Sequence, residues 1–507
     1  MEASKKKMKF PSAFSILFII LLIAIGLTWL IPSGSYSKLS YDSTENHFIV
    51  KTHGIPDQSY PATEQTLNQL NIKIQLSNFT NGIIKKPIAI PDTYQRIEQH
   101  EKGITDMIHA MVDGTIEVAD IMIFIFILGG MIGVINKTGA FNAGLMSLTK
   151  KTKGNEFSVV FAVCVLMLLG GTACGIEEEA VAFYPILVPV FLALGYDSIV
   201  CVGAIFLAAS MGTAFSTINP FSVVIASNAA GISFTEGMGF RTLGLILGGA
   251  CVIAYMYWYC KKLRANPEFS YTYDDRQAFY DLYMKDIDPN ATVEFTFRRK
   301  LILILFSASF PLMVWGVMFG GWWFPQMAAS FLAITIIIMF ISGLPEKDVV
   351  NGFTHGASEL VGVALIIGLA RAVNIILEQG MISDTILDYM THLVDGMNGS
   401  VFIIGQLLIF IFLGLVVPSS SGLAVLAMPI MAPLADTVGI PRDIVVSAYN
   451  WGQYIMLFLA PTGLVLVTLQ MLGIPFNKWL KFVMPIVGCQ FVISSILLLT
   501  QVFMYAQ

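Results

Sequence analysis

The chain has 507 residues, 56% of them hydrophobic and only 12% charged, and its mean hydropathy is +0.73. These values exclude a soluble globular protein and predict an all-α polytopic membrane protein. The formal net charge of −5 does not indicate a nucleic-acid partner, because the basic residues lie at the edges of apolar runs. Six cysteines lie in or at the ends of apolar segments, without metal-ligand spacing. We therefore expect neither a structural disulfide, nor a metal site, nor a cofactor.

The first half of the chain combines a short basic start with apolar runs of about 20 residues, the length that crosses a bilayer. Residues 1–11 are expected to be a cytoplasmic N-terminus, and 12–32 a retained first helix. The polar segment 33–116 is expected to be an external loop that includes an interfacial helix or a simple tether. The remainder, 117–261, is predicted to hold helices at 117–137 and 239–260, a hairpin at 156–194 and a broken helix at 198–230.

The second half of the chain is predicted to follow the same plan. A cytoplasmic loop over 262–298 and a connector helix over 299–319 precede it. Within 326–507 we predict helices at 326–343, 360–378 and 480–503, a hairpin at 401–436 and a broken helix at 443–473. With both hairpins re-entrant, the chain has nine crossings.

Basic clusters orient this topology. Lysines and arginines are concentrated at 150–153, 261–264, 298–300 and 477–481. All four clusters lie on the cytoplasmic side if the hairpins turn back inside the membrane, as the positive-inside rule requires. We expect a multi-pass protein of the bacterial cytoplasmic (inner) membrane, with its N-terminus cytoplasmic and its C-terminus external.

An internal repeat relates the two halves. A shift of 244 residues aligns AVAFYPILVP at 180–189 with AVLAMPIMAP at 424–433, so that both Pro-x-x-x-Pro pairs coincide. Similar shifts align other short segments in the same order. Because an odd number of crossings separates the halves, they are predicted to be inverted repeats, as in many secondary transporters.

The predicted hairpins and breaks suggest where a ligand binds. The first helices of the hairpins, 156–170 and 401–415, are about 15 residues or roughly 22 Å long, which is short of a 30 Å hydrocarbon core. Their tips, GGTACG and VPSSSG, contain residues that tolerate turns. Prolines interrupt the next helix of each half, in FSTINPF and LAPTG. Irregular backbone at membrane depth persists only against protein or a wet cavity, so the two tips are expected to form a binding site.

Three consecutive carboxylates follow the first tip: Glu177, Glu178 and Glu179. A charge near the bilayer centre costs at least about 2.5–3.5 kcal/mol, so such residues usually face a cavity or a partner. Acidic residues also suit the start of a helix, where they complement its dipole. Successive helical positions turn by about 100°, so we expect one or two of the three to bind a ligand, Glu178 and Glu179 before Glu177.

Polar residues at the tips and breaks are further candidates, because freed carbonyls, hydroxyls and helix N-termini bind ions and carboxylates. Arg371 lies deep in an apolar run and is expected to pair with a pocket carboxylate, to bind a substrate carboxylate, or to extend toward a helix end. The other candidates for substrate binding are Thr172, Gly175, Asn219, Ser419, Ser420, Ser421, Asn450 and Thr462. The candidates for ion binding are Ser216, Thr217, Asn219, Gly422 and Pro461.

Several motifs together resemble one known family. They are GIEEEAVAF at 175–183, GYD at 195–197, STINPF at 216–221, PSSSG at 418–422, MPIMAPLAD at 428–436 and KWLKFV at 478–483. The chain resembles, over nearly its whole length, the YfcC-type basic amino acid (arginine/ornithine-like) antiporters, which are related to the DcuC-like C4-dicarboxylate carriers. The resemblance implies the elevator-type ion transporter superfamily fold and a homodimer, in which the hairpins and broken helices form a mobile transport domain.

The residues and the resemblance agree on a secondary transporter of basic amino acids of the arginine, ornithine and lysine class, working as an exchanger. Carboxylates suit the cationic end of such a substrate, and coupling to Na⁺ or H⁺ is left open. The first alternative is a sodium- or proton-coupled carrier of C4-dicarboxylates or other organic anions. An intramembrane serine hydrolase is disfavoured because the histidines lie in loops or at membrane edges, and a channel is disfavoured because paired tips suit alternating access.

Overall fold

A computed structural model gives the structure of the protein, and it describes residues 12–505 except 73, 82–83, 85–86, 178, 285–293, 321, 395 and 462–463. The described chain is predominantly helical. Within it, nine helices are long and apolar enough to cross a membrane, or ten if one bent pair counts as a span.

A small β-domain follows the first helix, α1 (Ala13–Leu30). Its main sheet is antiparallel in the order β4-β3-β2-β5, and β1 pairs with β6. Phe48 and Val50 are buried in the core of the domain, while the residues between and beside them are half-buried or exposed. Its elements are β1 (Gly34–Ser35), β2 (Lys38–Asp42), β3 (His47–Lys51), β4 (Gln58–Pro61), α2 (Glu64–Gln69), α3 (Leu76–Thr80), β5 (Ile88–Ala89) and β6 (Gln95–Arg96).

The remainder of the first half is helical, and its predicted broken helix ends at Ala214 and resumes at Pro220. Its elements are α4 (Ile104–Glu117), α5 (Ala119–Thr138), α6 (Ala140–Thr152), α7 (Phe157–Cys174), a 3-10 turn (Glu179–Phe183), α8 (Tyr184–Ala193), α9 (Ser198–Val202), a π-turn (Gly203–Leu207), α10 (Ala208–Ala214), a second π-turn (Pro220–Val224), α11 (Ile225–Ala229) and α12 (Met238–Ala265).

The second half follows after two 3-10 turns (Pro267–Phe269 and Tyr273–Asp275) and α13 (Arg276–Tyr283). Its elements are α14 (Phe297–Gly320), α15 (Phe324–Ser342), α16 (Glu346–Glu359), α17 (Val361–Gln379), α18 (Ser383–Val394), α19 (Gly399–Val416), α20 (Ser420–Thr437), α21 (Arg442–Leu459), α22 (Leu464–Met471) and α23 (Phe476–Tyr505).

The helices pack as two bundles. In bundle A, which comprises α1, α4, α5 and α14–α17, α4 packs on α17 and α5 packs on α15 and α16. In bundle B, which comprises α7–α12 and α19–α23, α7 packs on α10 and α12, and α19 packs on α21 and α23. The bundles meet where α17 contacts α22 and where α5 contacts α8.

Facing glycines bring α5 and α16 of bundle A into backbone contact. A Cβ added to Gly133 would lie 2.0 Å from the carbonyl oxygen of Gly352, and one added to Gly129 would lie 2.5 Å from that of Gly356. The pairs are spaced i,i+4 on each helix, which is the small-residue pattern of close membrane-helix packing.

Bundle B uses glycines in the same way in both halves of the chain. A Cβ on Gly171 would lie 2.0 Å from the carbonyl oxygen of Ala209, where α7 crosses α10. A Cβ on Gly452 would lie 2.7 Å from the carbonyl oxygen of Leu407, where α19 crosses α21. Each hairpin helix is therefore held against the helix that precedes a break.

Hydrogen bonds join the β-domain to the region where α17 ends and α18 begins. The Ser33 hydroxyl donates to the Gly380 carbonyl at 2.8 Å, and the Tyr36 hydroxyl donates to Asp388 at 3.0 Å. Val425 of α20 also belongs to the apolar core of the domain. The described residues between 34 and 96 thus form a folded domain docked on the helices, rather than the loop that the sequence indicated. Their strands of two to five residues are too short to show a clear alternation.

Several observed helices differ from the predicted spans. Helices α7 and α19 have 18 residues each, or roughly 27 Å, so their length no longer argues for hairpins. Helices α19 and α20 count among the nine candidate spans, whereas the predicted span 198–230 consists of two shorter helices. A bend of 109° separates α6 from α7.

Cys251 of α12 and Cys489 of α23 lie near each other, with their Cα atoms 7.3 Å apart, which is beyond the separation of about 4.4–6.8 Å that a disulfide usually spans. The expectation of no structural disulfide therefore stays a prediction. These residues are 238 positions apart in the sequence, so only the packing of α12 on α23 reveals their proximity. Cys164, Cys201 and Cys260 are free and buried.

Gly133→Ala is expected to destabilise bundle A by about 1–3 kcal/mol, because the new methyl group overlaps the backbone of α16. Thermal unfolding of the detergent-solubilised protein measures the effect. Gly362→Ala is the control, since a Cβ at that position meets nothing within 4 Å. An equal melting temperature for the two variants would contradict the close crossing.

Candidate functional site

A cavity of about 560 Å³ lies between the two bundles. Bundle B contributes both predicted tips, the first break and parts of α21 and α22. Bundle A contributes α17, the start of α5 and the residue before α15, and Ile84 of the β-domain also lines the cavity. Its polar lining residues are Glu177, Asn219, Arg371, Asn374, Ser419, Ser420, Ser421, Gln453 and Tyr454. Apolar residues complete the wall, among them Phe221 and Trp323, whose ring centroids are 5.6 Å apart.

Asn219 ties the first break to the first tip. Its side-chain nitrogen donates to the carbonyl of Gly171 at 3.0 Å, and its oxygen accepts from the backbone N–H groups of Phe221 and Ser222 at 2.8 and 3.3 Å. Asparagine followed by proline is a favoured helix start, because the amide caps orphan N–H groups and proline needs no partner for its nitrogen. One buried side chain thus satisfies backbone groups at the first tip and just after the break.

Gly175 ends α7 in the left-handed conformation, with φ of +69°. A Cβ at this position would lie 2.6 Å from the side-chain nitrogen of Asn219. Glycine is therefore required both by the backbone conformation and by the close approach of Asn219. The turn directs the chain toward Glu177 at the cavity wall.

Helix α21 holds the second tip. The Ser419 hydroxyl caps α20 by accepting from the backbone N–H of Gly422 at 3.2 Å. Tyr449 donates its hydroxyl hydrogen to the Ser420 carbonyl at 2.6 Å, and the Gln453 amide donates to the Pro418 carbonyl at 3.4 Å. The N-terminus of α20 and the serines beside it line the cavity.

Glu177 is the acidic residue that the structure places at the cavity. Tyr454, which is 3% exposed, donates its hydroxyl hydrogen to Oε2 of Glu177 at 3.0 Å. This bond joins the first tip to α21 of the other half. Glu178 lies outside the described residues, and of Glu179 only the backbone is described, in a 3-10 turn. The preference for Glu178 and Glu179 over Glu177 therefore stays a prediction.

Arg371 lines the cavity from α17, where it forms two ion pairs. Its guanidinium donates to Glu117 at 2.7 Å and to Glu378 at 3.2 Å. Neither partner is one of the three glutamates after the first tip. Glu117, the last residue of α4, connects this helix to α17. The ion pair between Arg371 and Glu117 could not be predicted from the sequence, because 254 positions separate the two residues.

Ser216 and Thr217, two of the residues proposed for ion binding, are held by other protein groups. The Asn450 amide nitrogen contacts the carbonyl oxygens of Thr213 and Ala214 at 2.9 and 2.8 Å and the Ser216 hydroxyl at 3.2 Å. The Thr217 backbone N–H donates to the Thr172 hydroxyl at 3.1 Å. Asparagine and threonine side chains thus bond the polar groups that the first break frees.

The candidates fall into three groups in the structure. Gly175, Glu177, Asn219, Arg371, Ser419, Ser420 and Ser421 line the cavity. The described residues outside its lining are Thr172, Ser216, Thr217, Gly422, Asn450 and Pro461. Glu178 and Thr462 lie outside the described residues.

Sequence reasoning missed several lining residues. Tyr454 lies one helical turn after the candidate Asn450, and Asn374 lies three residues after Arg371, so helical spacing offered a signal for both. Gln453 lies three residues after Asn450 on the same helix, so the same spacing pointed to it. Trp323 gave no signal, because an aromatic residue near a membrane edge is common.

Apolar helices long enough to cross a membrane, with a cavity between two bundles, are typical of a membrane transporter, and comparisons with known proteins support this class. The family model DcuC, described as C4-dicarboxylate anaerobic carrier, matches residues 10–503, and the chain belongs to this family. The family consists of transporters, not enzymes.

Two curated relatives match over almost the whole chain. An uncharacterized protein of Haemophilus influenzae is 76% identical over 508 residues, which cover 100% of both chains. A protein of Escherichia coli named "Putative basic amino acid antiporter YfcC" is 28% identical and is covered to 96%, as is this chain. The resemblance found in the sequence motifs is thereby confirmed.

Two solved structures are weakly similar. MtrF of Neisseria gonorrhoeae, described among antimetabolite efflux pumps, is 15% identical with a TM-score of 0.38, covering 98% of this chain and 96% of its own. The YdaH transporter of Alcanivorax borkumensis is 13% identical with a TM-score of 0.39, covering 97% of this chain and 99% of its own. Scores this low support no detailed comparison.

Asn219→Ala is expected to destabilise the protein by at least about 1 kcal/mol, because it removes a helix cap and the bond to the first tip. Asn219→Asp keeps the capping oxygen but places a buried carboxylate oxygen against the Gly171 carbonyl, so it should be no more stable than Asn219→Ala. Thermal unfolding measures both. Asn266→Ala is a matched control, since Asn266 caps a proline-containing turn near the end of α12. An Asn219→Ala variant no less stable than this control would contradict a stabilising role for the Asn219 bonds between the first tip and the first break.

Proposed function

We propose that the protein is a secondary active transporter that exchanges basic amino acids through the cavity between its two bundles. The observation that carries this proposal is the charge of the site. Glu177 presents a carboxylate to the cavity, while Arg371, the one cation among the described lining residues, is already paired with Glu117 and Glu378.

Electrostatics then favour a cationic substrate. A carboxylate in a membrane interior is costly, and an ammonium or guanidinium group beside it offsets that cost through a charge-assisted hydrogen bond. The Tyr454 hydroxyl holds Oε2 of Glu177 in place at 3.0 Å. An anionic substrate, by contrast, must compete with two carboxylates for Arg371.

The other end of an amino acid needs donors for its carboxylate. Ser420 and Ser421 begin α20, an 18-residue helix whose N-terminus reaches the cavity. Backbone N–H groups and the partial positive charge of a helix N-terminus favour a carboxylate. In this arrangement, Glu177 at the first tip binds the side-chain cation and the second tip binds the α-carboxylate.

The mechanism we propose is an elevator. Matching glycine crossings in the two halves support an inverted repeat, and a cavity lined by both bundles suits motion of bundle B along bundle A. We propose bundle A as the scaffold of a homodimer in the bacterial inner membrane, with the N-terminus cytoplasmic. Exchange of one basic amino acid for another needs no cofactor, and the name of the Escherichia coli relative supports the substrate class.

A C4-dicarboxylate carrier is the second candidate. The description of the family favours it, and Arg371 at the cavity wall offers a group that could bind a carboxylate. Three glutamates after the first tip would then bind protons or sodium rather than substrate.

Counterflow in proteoliposomes separates the two candidates. Vesicles preloaded with arginine should accumulate labelled arginine, ornithine and lysine but not succinate or a neutral amino acid. Glu177→Gln should reduce uptake at least tenfold, because it removes the charge that faces the cation, whereas Glu268→Gln, at an exposed site outside the membrane helices, should not. Replacing sodium with choline should leave uptake unchanged.

Accumulation of labelled succinate in succinate-loaded vesicles, without uptake of arginine, would contradict the proposal and establish the dicarboxylate carrier. Unchanged arginine uptake by Glu177→Gln would leave the substrate class standing but remove Glu177 from the site.

A further inference from the structure

Asn374 of α17 is a polar residue of the cavity wall whose side chain no other part of the described chain holds. It is half-buried, so part of its surface is accessible. Among the residues that the structure describes, neither its amide nitrogen nor its amide oxygen has a hydrogen-bond partner. The side chain therefore offers one acceptor oxygen and a nitrogen with two hydrogens to a ligand.

The helical spacing of α17 shows which way this side chain points. Four residues of the helix line the cavity, at relative positions i, i+3, i+4 and i+7: Ile367, Ala370, Arg371 and Asn374. Residues at this spacing share one face of a helix. The flanking residues Val373 and Ile375 are instead buried among apolar side chains. The accessible amide of Asn374 thus lies on the face of α17 that forms the cavity wall.

Asn374 lies beside an ion pair without taking part in it. The Arg371 guanidinium donates to Oε1 of Glu378 at 3.2 Å, and these two residues are seven positions apart, so the pair extends along α17 past the turn that carries Asn374. Arg371 also pairs with Glu117. One guanidinium and two carboxylates are therefore grouped here, which disfavours an isolated anion but not a carboxylate that has an ammonium beside it.

We propose that the amide of Asn374 binds the head group of an α-amino acid, with its nitrogen donating to the α-carboxylate and its oxygen accepting from the α-ammonium. This inference rests on the proposed function and names the group by which the substrate is recognised. One amide presents a donor and an acceptor side by side, as the head group does, and bonds to charged groups are the stronger ones. A carboxylate has lone pairs for further donors, so the N-terminus of α20 binds it as well.

The position of Asn374 also has a consequence for the two bundles. Asn374 belongs to bundle A, whereas Glu177 and the serines of the second tip belong to bundle B. A substrate bound by all of them connects the two bundles. Agmatine, which is arginine without its carboxylate, cannot make the bond to the amide nitrogen and should bind more weakly than arginine.

The test compares Asn374→Asp and Asn374→Leu with the same two substitutions of Asn351. Asn351 is exposed on α16 of bundle A and does not line the cavity, so its variants are matched controls. Labelled arginine is the substrate for counterflow, and agmatine is a competitor whose inhibition constant is measured.

Asn374→Asp replaces the donor with a carboxylate oxygen. It should raise the KM for arginine at least tenfold and lower the inhibition constant of agmatine, whose ammonium gains a charged partner. Asn374→Leu keeps the approximate shape of the side chain but has neither donor nor acceptor, and should raise the KM for arginine about tenfold. The Asn351 variants should leave both constants unchanged.

The melting temperature separates binding from a structural role. Because Asn374 has no partner to lose among the described residues, Asn374→Leu should leave the melting temperature of the ligand-free protein unchanged. The rise that arginine causes in the wild type should be smaller in Asn374→Leu, since this rise depends on affinity. Asn351→Leu should retain the full rise.

Three results would overturn the inference while leaving the proposed function intact. Equal KM values for arginine in Asn374→Leu and Asn351→Leu would show that the amide does not contact the substrate. An inhibition constant of agmatine that rises together with the KM in Asn374→Asp would contradict a bond to the α-carboxylate. A lower melting temperature of ligand-free Asn374→Leu would assign a structural role to Asn374. A wild type that neither transports nor is stabilised by any basic amino acid would refute the proposed function, and this inference with it.

Discussion

The structure depends on one constraint: backbone that leaves the helical conformation inside a membrane must find its hydrogen-bond partners within the protein. Two asparagines meet this constraint at the first break. Asn219 bonds the first tip and caps the next helix, and Asn450 bonds the carbonyls freed at the end of α10. Because these bonds fix the tips and breaks, polar side chains there can face a cavity with defined geometry.

The charged side chains at the site also have bonding partners within the protein. Arg371 is stabilised by two carboxylates, and Glu177 by a tyrosine hydroxyl. We propose that the Glu177 carboxylate at the cavity wall, near an Arg371 side chain that two carboxylates already bind, favours positive substrates. Glycine crossings bring the helices close enough for these bonds to form across both halves of the chain.

The sequence predicted what depends on local pattern. Apolar runs, prolines and glycines located most membrane helices, both tips and the first break, and seven candidates line the cavity. It could not predict contacts between distant segments, such as Arg371 with Glu117, Tyr454 with Glu177, or Cys251 with Cys489. The β-domain was missed because its strands are short and their exposed faces polar.

The most direct test of the account is protection of the cavity by substrate. Ser420→Cys, in a variant lacking the six native cysteines, should react with a charged thiol reagent. Arginine should slow that reaction at least tenfold and succinate should not, whereas the reaction of Ser233→Cys, in an exposed turn, should be unaffected by either. Protection by succinate alone, or by neither compound, would contradict a cationic amino acid bound between the two tips.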